Sequence, residues 1–348
     1  MKKLILFLAI IAFFQVKSTA QKDKQYKVGV IGFWNFENLF DLKDSPDTND
    51  KDFLPTGKNQ WNKEKYDEKM GNLARVISDL GTELSPEGAT LLGTAEVENR
   101  KVLEDLVKEK AIKDRNYQIV HHDSPDWRGI DCALLYNPKY FTPTSSKGLE
   151  VELFNDEGER RYTRDVLYVN GKLDGDEIHI FVCHWPSRRG GEKASRHKRN
   201  KAAQVVKDYM KILKDKDPEA KIIVMGDMND DPVSPSVKNI LQGKKDKESV
   251  TKNSMYNPMY KFYKRGVGSN AYRDAWSLFD QILLTKPLLG KKQDGYFHHK
   301  TTIYNKKYLV QKTGKYKGYP YRTFAGGKYQ GGFSDHFPVY ITLLKEIK

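Results

Sequence analysis

Polar residues of the kinds that bind cations or transfer protons stand at the ends of six apolar runs in the sequence. They are Asn35, Glu96, His184, Asp227 with Asn229, Asp280, and Asp335 with His336. Taken singly, each is a weak signal, because Asp and Asn form tight turns, a glutamate can precede a helix, and a lone histidine is usually a core residue. Their recurrence in the same setting favours one shared site. Carboxylate and amide oxygens suit a hard cation such as Mg²⁺, Mn²⁺ or Ca²⁺, whereas a structural zinc site would need a close-spaced Cys and His set that the sequence lacks.

The elements that must position these residues form an alternating pattern of strands and helices. Strand-like apolar runs are predicted at residues 26–33, 90–97, 117–121, 131–136, 166–169, 178–184, 221–225, 278–284 and 337–343. Helical spacing of apolar residues is predicted at 61–80, 100–111 and 194–214. We therefore expect an α/β fold. Since functional groups of such folds gather where strands end, the polar residues are expected to converge at one edge.

Composition bounds the class of protein. The 348 residues are 38% hydrophobic and 30% charged, which excludes a collagen-like, disulfide-framework or wholly disordered chain. No repeat period and no Pro/Gly/Ser linker divides the chain, so residues 21–348 are predicted to form a single domain. A formal charge of +14 favours anionic partners such as nucleic acid, phospholipid or phosphorylated small molecules. Cys132 and Cys183 lie in strand-like runs and are interpreted as small buried hydrophobes, with a disulfide between them as the alternative.

The first 20 residues have the form of a secretory signal peptide. Two lysines precede an apolar run at 4–16, and small residues end at Ala20, where cleavage is expected. The apolar run is too short to span a membrane, so no stable membrane insertion is expected. The mature protein is therefore predicted to be exported to the periplasm or to the medium, as a monomer by default.

Seven short motifs occur in the order found in the endonuclease/exonuclease/phosphatase (DNase I-like) superfamily, which the sequence resembles over nearly the whole mature chain. The motifs are WNFENLF at 34–40, AEVEN at 95–99, GIDCALLY at 129–136, HWPSR at 184–188, GDMN at 226–229, FDQIL at 279–283 and SDHFPV at 334–339. The family includes DNase I-like nucleases, abasic-site endonucleases, inositol polyphosphate phosphatases and bacterial sphingomyelinases. One departure is Ala95, where the family often has Gln before its metal-binding Glu.

The resemblance implies a four-layer α/β/β/α sandwich, in which two facing mixed sheets are covered on the outside by helices. It also implies a divalent cation, Mg²⁺ or else Mn²⁺ or Ca²⁺, held chiefly by Glu96. Asn35 and Asp335 would lie nearby or share a second ion. Ala95 loosens the registration between Glu96 and Glu98, and Glu96 is chosen because it directly follows the strand.

Catalytic roles follow from the same resemblance. Asp227 is expected to orient and deprotonate the attacking water, and Asn229 to hold a phosphate oxygen. His184 and His336 are expected to stabilise charge on the phosphoryl oxygens or to protonate the leaving group, while Asp280 orients one imidazole, that of His184 by preference. The chemistry asks for these residue types independently, because in-line phosphoryl transfer needs an aligned nucleophile, a general base and charge stabilisation around phosphorus.

The leading expectation for function is a secreted, metal-dependent phosphodiesterase acting on nucleic acid. A phosphatase or phospholipase C-type enzyme acting on inositol phosphates or sphingomyelin is the alternative within the fold, and a non-catalytic polyanion binder is the alternative outside catalysis. Two basic segments, 187–201 and 286–328, bear on the substrate. The second interleaves six tyrosines, as in surfaces that follow a nucleic-acid backbone, although a solvated hairpin would show the same alternation.

Five residues are candidates for contact with the substrate. Arg188 and Arg128 are candidate phosphate ligands, since an arginine fork matches phosphate oxygens, and Arg164 is a third. Tyr272 and Trp276 are a candidate substrate wall. Structural ion pairs and core packing are the competing explanations for these residues.

Overall fold

The computed structural model describes residues 24–290 and 295–347. The predicted signal peptide at 1–20 lies outside the described residues. None of the described helices is both long enough and apolar enough to cross a membrane.

Strands dominate the described chain. The first ten are β1 (Tyr26–Leu39), β2 (Leu91–Val97), β3 (Gln118–His121), β4 (Asp131–Tyr136), β5 (Phe141–Leu149), β6 (Leu153–Phe154), β7 (Arg160–Arg161), β8 (Val166–Leu173), β9 (Asp176–His184) and β10 (Ile222–Asp227). The others are β11 (Gly243–Lys244), β12 (Met255–Tyr256), β13 (Asn270–Tyr272), β14 (Ala275–Ser277), β15 (Asp280–Leu284), β16 (Phe297–Ile303), β17 (Phe324–Ala325), β18 (Lys328–Tyr329) and β19 (Val339–Glu346). The α-helices are α1 (Lys63–Asp79), α2 (Arg100–Leu106), α3 (Glu192–Lys216) and α4 (Met259–Lys264).

Two large mixed sheets face each other. The first has the strand order β16-β19-β1-β2-β4-β3, and the second has the order β11-β12-β15-β10-β9-β8-β5. A parallel pair lies at the centre of each sheet, β1 with β2 and β9 with β10, and antiparallel strands flank it. Contacts of β1 with β10 and of β2 with β9 join the two sheets. The carboxyl ends of all four parallel strands meet at one edge of the sandwich, which is where the polar residues were expected.

Strand β10 shows the layering residue by residue. Ile223 and Met225 belong to the core between the sheets, whereas Ile222 and Val224 belong to a second core beneath α3. Alternate side chains of a strand point to opposite faces, so a strand that is apolar on both faces must be covered on both. The predicted four-layer α/β/β/α sandwich is confirmed.

The two cysteines lie in this interior. Cys132 on β4 and Cys183 on β9 are buried thiols with no bond between them. Burial raises the pKa of both thiols well above its usual range, so neither is a reactive thiolate. Their interpretation as small core residues agrees with this environment.

The sequence analysis missed four strands of the large sheets, of which β11 and β12 have two residues each. The two longer ones are edge strands: β5, with the sequence FTPTSSKGL, in the second sheet and β16, with the sequence FHHKTTI, in the first. Both are too polar to form an apolar run, because one side of an edge strand lacks a neighbouring strand and faces solvent. The nine predicted strands and three predicted helices are all present, with ends that differ by several residues.

Candidate active site

The register of the second sheet places three of the expected residues side by side. β10 lies between β9 and β15, and Asp227 pairs directly with His184 on one side and with Asp280 on the other. Gly226 allows the close spacing here, because a Cβ at that position would stand 2.1 Å from the Cys183 carbonyl oxygen, and its φ of 156° favours glycine. An imidazole and two carboxylates therefore form one row at the edge of this sheet.

The first sheet contributes Asn35 and Glu96 from the opposite side of the interface. Asn35 pairs with Ala95, and a bulge follows at Glu96, whose backbone has a φ of 59°. The Asn35 amide donates to Asp227 Oδ2 at 3.2 Å. Glu96 Oε1 lies 3.7 Å from His184 Nε2. The side chains of the two sheets thus meet around Asp227 and His184.

The geometry separates Glu96 from Glu98. Glu98 Oε2 accepts the Asp41 amide at 2.6 Å and Oε1 accepts the Ser45 hydroxyl at 3.1 Å, so this carboxylate secures the loop after β1. Burial raises the pKa of Glu98 to about 7. Glu96, in contrast, faces Asp227 and His184, where the sequence analysis expected it.

The segment before β19 carries His336 into the site. Ser334 Oγ donates to the Asn35 carbonyl at 2.6 Å and accepts the His336 amide at 3.1 Å. His336 Nδ1 lies 2.7 Å from Asp280 Oδ2. The preference for His184 as the partner of Asp280 was therefore wrong: Asp227 stands between the two, and among the described residues His184 Nδ1 has no hydrogen-bond partner.

The surroundings of the two imidazoles shift their pKa values in opposite directions. Burial lowers the pKa of His184 well below its usual range, and the nearby guanidinium groups of Arg164 and Arg128 lower it further. Burial would also lower the pKa of His336, but the carboxylates of Asp280, Asp335 and Asp227 raise it well above its usual range. His184 is therefore neutral and His336 is an imidazolium, and such a split between neighbouring groups marks acid–base sites.

Asp227 is the central carboxylate of the site. Its Oδ2 lies 3.6 Å from His184 Nε2 and 3.9 Å from His336 Nε2, and its Oδ1 accepts the Asn229 amide at 2.9 Å. Burial raises the pKa of Asp227 to about 6, although His336 opposes the shift. The Asn229 side chain donates to the Trp185 carbonyl at 2.9 Å, which fixes the turn that follows Asp227.

The expected cation ligands fit a hard divalent ion. Glu96 Oε2 accepts the Asn38 amide at 2.9 Å, but no described residue donates a hydrogen bond to Glu96 Oε1. Asp335 has only long ionic contacts, at 3.6 Å with Arg322 and 3.9 Å with His336 Nε2. Glu96 and Asp335 are therefore partly exposed carboxylates of the type that Mg²⁺ or Mn²⁺ binds, whereas the Asn35 amide oxygen accepts the Glu37 backbone amide at 2.9 Å.

A second group with metal-binding residue types lies at the start of β4. One ligand atom from each of His121, Asp123 and Asp131 lies within 4.8 Å of the others. Asp131 already accepts hydrogen bonds from the Ser124 amide and hydroxyl at 2.8 and 2.5 Å, and it lies 2.9 Å from His121 Nε2. We interpret this group as a closed hydrogen-bonded cluster.

The arginines expected to bind phosphate have different surroundings. Arg188 donates to the Asn229 carbonyl at 2.9 Å and to Asp231 at 3.1 Å, and it lies over the Phe279 ring. Its position as a brace of the loop after β10 argues against the phosphate role. Arg164 is likewise structural, because it is buried and pairs with Asp126 at 3.0 Å. Arg128 is partly exposed, and its positive charge contributes to the lowered pKa of His184, so it remains a candidate phosphate ligand.

The expected aromatic wall is a hairpin attached to His336. β13 and β14 carry Tyr272, which is 68% exposed, and Trp276, which is 40% exposed. The Trp276 ring lies nearly parallel to that of Phe337, with centroids 6.0 Å apart, and Asn270 forms an isolated β-bridge with His336. The hairpin therefore borders the catalytic edge.

The basic segments divide into core and surface. In the first, Arg199 is fully buried and its Nε lies 2.7 Å from Asp230 Oδ1, so it supports the loop after β10. In the second, Tyr296 and Tyr304 are core residues, whereas Tyr316 and Tyr319 line a cavity beside the hairpin. Alternation of Tyr and Lys along the sequence did not distinguish these two environments.

Sequence reasoning missed Lys69 and Glu37. Lys69 is a buried residue of α1, and its Nζ donates to Thr323 Oγ1 at 2.6 Å and to the Phe333 carbonyl at 2.7 Å. Glu37 accepts the Thr323 amide at 2.6 Å. Burial raises the pKa of Glu37 to about 7 and lowers that of Lys69 to about 8, while each charge stabilises the other. The available signal was a lysine three residues after Tyr66 in the apolar stripe of a helix.

Comparisons with known proteins agree with this fold. The endonuclease/exonuclease/phosphatase family matches residues 30–345 of the chain. A family protein from Bacteroides thetaiotaomicron superposes with a TM-score of 0.56 at 16% identity, covering 93% of this chain and 97% of that one. Among curated proteins, no sequence matches the chain significantly.

Two further solved structures have the same fold. The mannosyl-6-phosphatase of Bacteroides thetaiotaomicron VPI-5482 has a TM-score of 0.54 at 17% identity, covering 90% of this chain and 99% of that one. TDP2 of D. rerio, in complex with a single-strand DNA product, has a TM-score of 0.53 at 15% identity, covering 91% and 98%. At such identities the likeness concerns the fold alone, but the family match spans nearly the whole described chain. The chain therefore belongs to the endonuclease/exonuclease/phosphatase family of phosphoesterases.

Proposed function

We propose that the protein is an exported, divalent-metal-dependent phosphodiesterase that cleaves nucleic acid. The observation that carries the proposal is the position of Asp227, whose Oδ2 faces His184 Nε2 at 3.6 Å and His336 Nε2 at 3.9 Å. A carboxylate and two imidazoles directed at one point supply a base and two hydrogen-bonding groups to a phosphoryl centre.

Each residue has a defined part in this reaction. Asp227 accepts the proton of the attacking water. His336, held by Asp280, donates hydrogen bonds to a phosphoryl oxygen, and neutral His184 orients the phosphate from the other side. The cation would be held by Glu96 with Asn35 and Asp335, and when bound it neutralises phosphate charge and lowers the pKa of coordinated water.

The preference for nucleic acid has two supports. The formal charge of +14 favours a polyanionic substrate, and exposed aromatic and basic side chains border the site. One structural neighbour, TDP2, is in complex with a single-strand DNA product, whereas another is a mannosyl-6-phosphatase. A phosphomonoesterase is therefore the competing activity to be measured.

The deciding experiment uses purified residues 21–348 on supercoiled plasmid with Mg²⁺ or Mn²⁺. Nicking that EDTA stops and that Asp227→Ala removes supports the nuclease. Intact plasmid together with release of phosphate from mannose 6-phosphate would instead establish the phosphatase. An Asp246→Ala variant, altered at a half-buried aspartate outside the site that pairs with Lys261, is the matched control and is expected to nick at the wild-type rate.

Export is proposed from the form of residues 1–20. The expected result is that protein recovered from the periplasm or the medium begins at Gln21. Amino-terminal sequencing tests this directly, and an intact Met1 on the protein inside the cell would contradict it.

A further inference from the structure

A cavity of about 410 Å³ lies between the β13–β14 hairpin and the segment before β17. Aromatic rings and cationic groups together form most of its lining. They are Tyr272, Arg273, Lys315, Tyr316, Tyr319 and Arg322. A cavity of this size is large enough for a small organic ligand, and its lining offers both flat rings and positive charge.

The rings are held in place before any ligand arrives. The Tyr319 hydroxyl donates to Asp274 Oδ1 at 2.6 Å and accepts the Asp274 amide at 2.6 Å. Tyr319 also contacts the rings of Tyr316 and Trp276, with centroids 5.9 and 6.0 Å away. Because Asp274 is engaged by Tyr319, the acid in the lining does not pair with its three cationic groups.

The turn of the hairpin holds Arg273 in an unusual backbone conformation. Arg273 has a φ of 50° and Asp274 a φ of 61°, in a turn position that normally takes Asn or Gly. Residues other than Gly, Asn and Asp rarely adopt this conformation. The Arg273 guanidinium lies 5.2 Å from the centroid of the Tyr272 ring, so the strained residue places a cation beside an exposed aromatic face.

The cavity is continuous with the catalytic edge. Arg322 lies 3.6 Å from Asp335 Oδ2, and Asp335 Oδ1 lies 3.9 Å from His336 Nε2. Next to Tyr319 of the lining, the ring of Trp276 lies nearly parallel to that of Phe337, the residue after His336. The cavity is therefore connected to His336 through Arg322 and Asp335.

We propose that this cavity binds one nucleotide of a single-stranded nucleic acid, adjacent to the phosphate that is cleaved. The base stacks on Tyr272 and Tyr316, and Arg273 and Lys315 pair with its phosphate. A base within a duplex is covered on both faces by its neighbours, so stacking on a tyrosine selects an unpaired strand. The identity of the strand rests on the proposed function, whereas the cavity and its charge do not.

The test measures binding without turnover. The fluorescence anisotropy of a fluorescein-labelled oligothymidylate is titrated with protein in EDTA. Tyr272→Ala and Tyr316→Ala are expected to raise the Kd by about 5- to 150-fold each, the range for loss of one stacked base, and Tyr272→Phe to keep the wild-type value. Tyr26→Ala, at the far end of β1, is the control and is expected to change nothing.

The charge contribution has its own variant. Arg273→Asn removes the cation but keeps a residue that tolerates positive φ, so the hairpin turn is preserved. The expected result is a weaker oligothymidylate complex and a melting temperature no lower than that of the wild type. Because binding in EDTA is independent of hydrolysis, failure to nick plasmid would count against the proposed function and not against the cavity.

Three outcomes would overturn the proposal. The first is a wild-type protein that does not bind oligothymidylate, and the second is a Kd that the tyrosine variants leave unchanged. The third is equal loss of affinity for duplex and single strand. Displacement of the oligonucleotide by inositol hexakisphosphate from wild type and Tyr272→Ala with the same potency would assign the cavity to a compact polyanion instead.

Discussion

His336 Nδ1 lies 2.7 Å from Asp280 Oδ2, while the other imidazole of the site, His184, has its closest carboxylate oxygen at 3.6 Å. The pair crosses from the start of β15 to the segment before β19. It fixes the ring orientation of His336 and keeps it positively charged, because a buried carboxylate at hydrogen-bond distance stabilises the imidazolium. The two histidines are therefore not interchangeable.

Asp280→Asn is expected to lower kcat by about 10²- to 10⁴-fold, since the amide keeps the size of the carboxylate but not its charge. Circular dichroism should show an unchanged fold. Steady-state kinetics on a phosphodiester check the prediction, with Asp246→Asn, at a half-buried position outside the site, as the control. Near-wild-type kcat in Asp280→Asn would mean that the charge on His336 has no part in turnover.

Asp227→Ala and His336→Ala are each expected to abolish turnover, and His336→Ala is expected to lower the melting temperature as well, because it leaves the buried carboxylate of Asp280 without its charged partner. The reason is positional: Asp227 faces both imidazoles, and His336 carries the charge nearest to it. Kinetics and thermal unfolding of the same preparations separate the two effects. A variant that still turns over at the wild-type rate would show that its side chain lies outside the chemistry.

Glu96→Gln is expected to weaken Mn²⁺ binding by about 10- to 100-fold, whereas Glu98→Gln leaves it nearly unchanged. Only Glu96 has an oxygen to which no described residue donates a hydrogen bond, and Glu98 is occupied by Asp41 and Ser45. Removal of a direct carboxylate ligand reduces affinity for a hard cation. Isothermal calorimetry on the two variants checks the assignment, and the opposite order of affinities would exchange the roles.

Lys69→Met is expected to destabilise the protein by about 3–5 kcal/mol, because it leaves the buried carboxylate of Glu37 without a compensating charge. Burial of both groups and their mutual charge interaction are the physical basis. Urea unfolding measures the free energy. Adding Glu37→Gln to Lys69→Met should recover a large part of the loss, and a double variant as unstable as the sum of the single variants would contradict the coupling.

His298 makes the fold sensitive to acid. Burial lowers the pKa of His298 to about 3, against an ordinary value of 6.5, and its Nε2 lies 2.7 Å from Thr301 Oγ1. Below pH 6.5 the unfolded chain binds a proton at this histidine that the folded chain does not bind. The free energy of unfolding therefore decreases as the pH is lowered from 6.5 to about 3. At pH 5 the free energy of unfolding is about 2 kcal/mol lower than it is above pH 6.5 because of this one residue.

His298→Gln should therefore flatten the stability profile between pH 7 and pH 5, measured by urea unfolding at each pH. His299→Gln, at the exposed neighbouring position, is the control and should keep the wild-type slope. An unchanged slope in His298→Gln would show that another group governs acid unfolding.

Sequence reasoning predicted the strands whose two faces are both apolar and the site residues at their ends, because those signals are local. It did not predict the partner of Asp280, since the choice between His184 and His336 depends on which strand lies on each side of β10. The roles of Arg188 and Arg199 were similarly ambiguous. A basic run in the sequence does not show whether its arginines bind phosphate or pair with buried aspartates such as Asp230.

The edge strands and Lys69 were missed for a related reason. β5 and β16 owe their strand conformation to pairing with β8 and β19, and this pairing is not visible in their own polar sequences. Burial of Lys69 is possible because it donates hydrogen bonds to Thr323 and Phe333 and interacts with the charge of Glu37. These partners are distant from Lys69 in the sequence. A local sequence pattern does not indicate which distant residues will pair, so these features were not predicted.

The position of β1 between β19 and β2 has a consequence for biosynthesis. Ile31 pairs with Ile341 and, on its other side, with Leu91, so the strand that carries Asn35 gains its second neighbour only after β19 has been translated. Closing so long a loop delays folding relative to a chain of local contacts. A nascent chain that has already exposed Asn35 and Glu96 still lacks His336, so this cluster of residues stays incomplete until the segment before β19 has been made.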